Sequence, residues 1–206
     1  MIVLRTLAML LVALASHPYR IGGALRDADG KWRSVEIIKE VHGKTSFEIR
    51  LLDDATRREA FKTALGREMD PFPSRVDELH PGYFVFVLQV NNDSPSDDLV
   101  FNPGQARLAT RNEVREFALD YSALYEVASK LGPDAPTLDE LASTIFDRTV
   151  TIRPGGGVRK LLIFERPRDE EWKDMEVRLL EVHTGREVVD VGFPFRKFPI
   201  EDSGKK

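Results

Sequence analysis

Four histidines, His17, His42, His80 and His183, are the side chains best suited by type to metal binding or proton transfer near neutral pH. Their spacing argues for neither. No two stand four residues apart on a helical pattern, as the ligands of a zinc protease do. His42 and His183 each lie just before a glycine in an expected hairpin turn, His17 lies near the N-terminus and His80 precedes Pro81. A site drawn from separate turns needs three or four ligands with supporting hydrogen bonds, so exposed turn histidines are the plainer expectation. Cysteine is absent, which removes disulfides, thiolate metal ligands and thiol nucleophiles.

Two carboxylate groupings invite a calcium reading. In Leu25-Arg26-Asp27-Ala28-Asp29-Gly30, Gly30 and Glu36 are separated as in a calcium loop, and Asp27 and Asp29 fall on ligand positions. Leu25 occupies the first ligand position, however, and no flanking helices are evident, so an Asp-Gly turn between strands is expected. Asp93, Asp97 and Asp98 could hold a calcium ion with a carbonyl of Asn91 or Asn92; solvated loop carboxylates are the commoner outcome. Asn92-Asp93-Ser94 is formally a glycosylation sequon, followed by Pro95.

Nucleophile contexts are missing as well. There is no Gly-x-Ser-x-Gly elbow. Pro154-Gly155-Gly156-Gly157 lacks phosphate-loop spacing and opens no helix, so it reads as a strand connection. No catalytic, cofactor-binding or metal-ligating residue is assigned, no cofactor is expected, and the chain is not expected to be an enzyme. A hydrolase stays as a second alternative, because triads are recognised by geometry rather than order.

Two further groups bear on partners. Arg57, Arg58, Lys62 and Arg67 make a locally basic helix surface, partly offset by Glu59 and Glu68, and a solvated face is expected there. Phe193-Pro194-Phe195-Arg196-Lys197-Phe198 places three phenylalanines near a terminus. They either pack onto the body or form a docking segment, as exposed apolar patches do. Phe193, Phe195 and Phe198 are therefore the candidate partner-binding residues.

The elements that must position these groups are mostly strands. Phe47, Ile49 and Leu51 alternate with Ser46, Glu48 and Arg50, the period of a half-buried strand. Val35, Ile37 and Val41 are apolar at even spacing before the His42-Gly43-Lys44 turn. From Tyr83 to Val90 both alternating sets are apolar, which predicts a central strand covered on each face. Further strands are expected at Leu99–Phe101, Gln105–Thr110, Val114–Leu119, Thr149–Ile152, Val158–Phe164, Met175–Val182 and Glu187–Val191. Three short helices interrupt them. The first lies within Asp53–Met69 with Phe61, Ala64 and Leu65 on its apolar face. The second carries Tyr121, Leu124, Tyr125, Ala128 and Leu131, between a cap at Asp120 and a stop at Gly132. The third opens with a capping box at Thr137-Leu138-Asp139-Glu140 and buries Leu138, Leu141 and Ile145.

At the N-terminus, Arg5 precedes an apolar run, Leu7 to Ala15, ending in Ala13-Leu14-Ala15. A positive start, a short apolar stretch and a small-x-small site predict a signal peptide over residues 1–15. The run is too short to span a bilayer, which takes about 20 apolar residues, so no transmembrane span is expected after cleavage. The 206 residues carry a net charge of −4 with mixed signs, which gives no basic stripe for nucleic acid. The Pro-rich passage around Pro71, Pro73 and Pro81 suggests a boundary: 16–82 as a hairpin-and-helix unit with linker, 83–200 as a β-sandwich body, and 201–206 as a flexible tail.

The stretch Phe84 to Phe164 resembles bacterial secreted immunoglobulin-like, or telokin-like, envelope domains. The matching features are a strand entering Asn91-Asn92-Asp93-Ser94, then Leu99-Val100-Phe101-Asn102-Pro103, a strand ending Leu108-Ala109-Thr110, and Pro154-Gly155 before Leu161-Leu162-Ile163-Phe164. The resemblance covers under half the chain, rests on structural turns, and carries no catalytic residues across. The expectation is a mainly β protein: an antiparallel immunoglobulin-like β-sandwich with three short helical insertions. Its expected role is a noncatalytic binding or assembly module of the bacterial cell envelope, periplasmic or secreted, with an envelope protein as partner. A carbohydrate- or calcium-dependent ligand-binding domain is the alternative. Oligomeric state is not legible.

Overall fold

The computed structural model describes residues 19–75, 82–110, 115–130, 136–167 and 172–200. The expected signal peptide, His17, His80, Gly132 and the 201–206 tail lie outside the described residues. In chain order the elements are β1 (Tyr19–Arg26), β2 (Trp32–Val35), β3 (Ile38–His42), β4 (Thr45–Leu51), α1 (Asp54–Leu65), β5 (Tyr83–Asn92), β6 (Leu99–Phe101) and β7 (Arg107–Thr110). After these come β8 (Arg115–Phe117), α2 (Tyr121–Lys130), α3 (Leu138–Thr144), β9 (Val150–Ile152), β10 (Gly156–Glu165), β11 (Asp174–Thr184) and β12 (Glu187–Pro199).

The strands form two sheets whose named pairs are all antiparallel. The larger runs β2-β1-β12-β11-β6-β9, with β7 also on β11 and β8 on β7; the smaller runs β10-β5-β4-β3. Strands from the N-terminal hairpin-and-helix unit enter both sheets: β1 pairs with β12, and β4 with β5. The fold is a mainly β sandwich of antiparallel sheets with three α-helices among the described residues.

Alternation explains the layering. Phe84, Phe86, Leu88 and Val90 of β5 face Val177, Leu179, Val191, Phe193 and Phe195 of the larger sheet in the main core. Phe86 meets Phe195 and Phe164 with ring centroids 5.1 and 5.9 Å apart. The opposite set of β5, with Val85 buried and Val87 partly so, joins Leu161 and Ile163 of β10 under the helices. Phe61 of α1, Phe72, Leu124 of α2, and Leu141 and Ile145 at α3 complete this second core. The central strand covered on both faces is thus present, and the second cover is helical.

Several local expectations differ. Val35, Ile37 and Val41 do not share one strand face. The chain crosses between sheets at Glu36-Ile37, so Ile38 turns inward at 0% exposure while Ile37 and Val41 stay exposed. On α1, Arg57 is buried in place of the expected Ala64, which is exposed. Among the described side chains of α2 the buried one is Leu124, flanked by partly buried Ala123 and Val127, while Tyr121 and Tyr125 face outward; the expected Ala128 and Leu131 side chains lie outside the described residues. The α3 capping box forms as expected, with the Thr137 side chain on the Glu140 amide and Glu140 returning to the Thr137 amide.

β12 runs on to Pro199, past the expected end at Val191. Proline inside a central strand normally loses a ladder bond. Here the β1 ladder begins only at Phe195, so Pro194 stands just beyond it and pairs with Glu176 of β11 alone.

Candidate functional site

Phe193 and Phe195 are 0% and 1% exposed and belong to the main core, because β12 continues through them between β1 and β11. Of the three, only Phe198 is partly exposed, opposite Arg20 on β1. A docking segment made of all three would require the core to open.

Asp27 organises a turn: its Oδ1 accepts the amides of Asp29 and Lys31 at 3.0 and 2.8 Å, and its Oδ2 accepts Arg33 Nε at 2.8 Å. Gly30, at φ 75°, supplies the left-handed residue this turn needs. In the acidic loop, the Asp97 carboxylate accepts the hydroxyls of Ser94 and Ser96, and buried Asn92 donates to the carbonyls of Asp97 and Ile152. Asp97, Asp98, His183 and Arg186 border an open depression of about 590 Å³. Among the described residues, no three His, Asp or Glu side chains are grouped to hold a metal ion. His42 ends β3 against Phe47, and His183 lies within β11 opposite Val100.

Arg58 and Lys62 occupy the exposed side of α1 as expected, whereas Arg67 lies beyond its end at Leu65 and pairs with Glu140 at 3.3 Å, and the remaining one, Arg57, is buried. Its Nη2 and Nε bond the Asp70 carboxylate at 2.6 and 2.9 Å, and its Nη1 bonds Asp54 at 2.9 Å. Ser74 donates to Asp54, and this bond with the neighbouring guanidinium holds the Asp54 carboxyl below the ordinary range against its partial desolvation. Asp53 caps α1 by accepting the Thr56 amide at 2.8 Å, which lowers its own pKa.

Asp53, Asp54, Thr56 and Ser74 border a cleft of about 780 Å³ at one end of the sandwich. Gly22 and Gly23 of β1, Ser34 to Glu36 at the end of β2, Arg50 to Leu52 at the end of β4, Tyr83 and Arg166 line it. Most of its charges are already engaged. Glu36 binds Arg50 Nη1 at 2.8 Å, and Arg166 donates to the Ser74 carbonyl while stacking over Phe84. Burial, then the nearby Glu165 carboxylate, raises the Tyr83 pKa and keeps its hydroxyl protonated. Arg20 also lines the cleft and is exposed.

The smaller sheet has two unlike edges. β10 is covered: the Phe146 amide bonds Leu161 O and the Leu119 amide bonds Ile163 O, each at 2.8 Å, with bridges at Ala118 and Ile145. β3, at the other edge, has no strand on its outer side among the described residues. Val41 is 58% exposed and Ile37 49%. Lys39 is held by Glu48 at 2.8 Å, and no ion pair to Glu40 is present among the described residues. The even spacing of Val35, Ile37 and Val41 hides this edge, because it reads them as one alternating apolar set. The signal was Glu36 beside Ile37-Ile38, where the alternation changes phase.

No family model matches the chain, and no curated protein does. Among solved structures, the yjhA protein from Bacillus subtilis is similar at TM-score 0.38 and 11% identity, over 69% of this chain and 76% of that chain. A likeness at that level transfers neither fold nor function. Among the described residues, no helix is long and apolar enough to cross a membrane.

Proposed function

We propose that this protein is a noncatalytic binding or assembly module of the bacterial cell envelope, an immunoglobulin-like sandwich exported by its N-terminal signal. Its partner is a protein, bound as an extended segment along β3. The supporting observation is the contrast between the edges of the smaller sheet: β10 is covered by passing backbone, while β3 has no strand on its outer side among the described residues and leaves Val41, with Ile37 just before the strand, exposed. An uncovered strand edge offers a row of amides and carbonyls that an extended segment satisfies, and alternate side chains set its specificity.

The occupant is not a second copy. Pairing β3 with itself along its full length about a two-fold axis centres on Glu40 and sets Glu40 against Glu40, and directly opposed like charges destabilise a ladder. A basic residue at the matching position of another chain relieves this.

The test is a photo-crosslinking side chain at Val41, with Tyr125 on α2 as an equally exposed control, in intact envelopes. A discrete partner captured from Val41 and not from Tyr125 is the expected result. Recovery of uncrosslinked monomer alone, together with saccharide binding in a parallel assay, overturns the proposal.

A further inference from the structure

Resting on the reading of β3 as a capture strand, we infer that the captured segment is a protein C-terminus whose free carboxylate is received at Arg20 in the adjoining cleft. The direction comes from the ladder. β3 runs from Ile38, opposite Ile49 of β4, to His42, opposite Thr45, and every named pair in its sheet is antiparallel. A segment added in the same sense runs from the His42 end toward Ile38, so its C-terminal end emerges beside Ile37 and Glu36.

That is where the cleft begins. Glu36, two residues before Ile38, and Arg50, one residue after Ile49, both line it and are joined by their 2.8 Å ion pair. The start of β3 therefore adjoins the cleft through Glu36. At about 780 Å³ the cleft is in the range that encloses small ligands, roughly 300 to 1,000 Å³, and has room for the last side chains of a tail.

The charge balance selects a carboxylate. Glu36 is held by Arg50, Asp54 by Arg57 and Ser74, and Asp53 by the α1 cap, so the acids of the cleft already have partners. Arg20 lines the same cleft, is exposed, and has no acidic partner among the described residues. A guanidinium matches a carboxylate with two parallel hydrogen bonds. A chain running straight through the cleft brings no such group and leaves Arg20 as it is.

The experiment uses the full chain and two displayed random-peptide libraries, one ending in a free C-terminus and one blocked at that end. Selected peptides are then synthesised as free acid and as amide and titrated by fluorescence anisotropy. The free-acid library is expected to yield binders, with amidation weakening them about tenfold or more. Arg20→Gln is expected to weaken the free acid by a similar factor and leave the amide unchanged. Because Arg20 is exposed, this variant keeps the fold, which circular dichroism checks. If acid and amide bind equally while Val41→Lys weakens both, the carboxylate inference falls and strand capture survives. If neither library yields binders sensitive to Val41→Lys, the capture reading itself falls.

Discussion

Replacing Arg57 with methionine gives the sharpest stability test, because that guanidinium ties α1 to the segment beneath it. Arg57 is 2% exposed and makes three hydrogen bonds to Asp70 and Asp54 at 2.9 Å or less. Arg57→Met leaves the Asp70 carboxylate, whose side chain is 17% exposed, without its cation. Breaking a buried pair on one side costs about 3–5 kcal/mol. Water reaching the partly open Asp70 and the Asp54 carboxylate, 58% exposed, places this case at the low end, about 3 kcal/mol. For a chain of this size that corresponds to a fall in Tm of about 6–12 °C. Removing both charges, as Arg57→Met with Asp70→Leu, is expected to recover most of the loss, since well-packed apolar replacements of buried pairs are often neutral. Urea unfolding followed by fluorescence of the two tryptophans measures both variants. An Arg57→Met variant within about 0.5 kcal/mol of the parent, below the usual cost of a buried-pair break, refutes the reasoning. So does a double variant less stable than the single one.

Three more outcomes are expected. Gly82 has φ 88°, and a Cβ there would lie 2.5 Å from the backbone of Ser74, so Gly82→Ala should lower stability by about 2 kcal/mol or more in the same urea assay. Thr137→Ala removes the capping box and should cost about 1 kcal/mol, while Thr137→Asn should cost less than half of that. The Asp53 and Asp54 carboxyls have folded pKa values below their ordinary 3.8. Their stabilisation is complete above that value and is lost as pH falls through the lower folded values, so urea midpoints should drop below about pH 4. Asp53→Asn with Asp54→Asn should flatten that drop; an unchanged acid limb contradicts the assignment.

The legible parts of the fold were those where one face meets one core. β4 and β6 follow from local alternation, and Thr137-Leu138-Asp139-Glu140 announced its own cap. The both-faces-apolar pattern of Tyr83 to Val90 correctly required a second cover, although not its helical nature. What stayed hidden depended on partners distant in sequence. Arg57 is buried because Asp70, thirteen residues on, reaches back to it, and nothing in the helix pattern alone marks one basic residue of four. Pro194 concealed the end of β12 because its tolerance depends on where the β1 ladder stops. Phe193 and Phe195 left both core packing and a docking segment open until that strand was placed. The open edge was hidden for a related reason: Ile37 and Ile38 are both apolar, and only the crossover between sheets decides which one turns inward.

Hydrogen exchange along the outer side of β3, with and without the protein captured at Val41, tests the strand-capture account most directly. In the free protein, alternate amides of Ile38–His42 should exchange quickly while Leu161–Phe164 of β10 stay protected, and the β3 amides should gain protection on binding. Equal protection of both edges in the free protein, or binding that leaves the β3 amides unchanged, contradicts it.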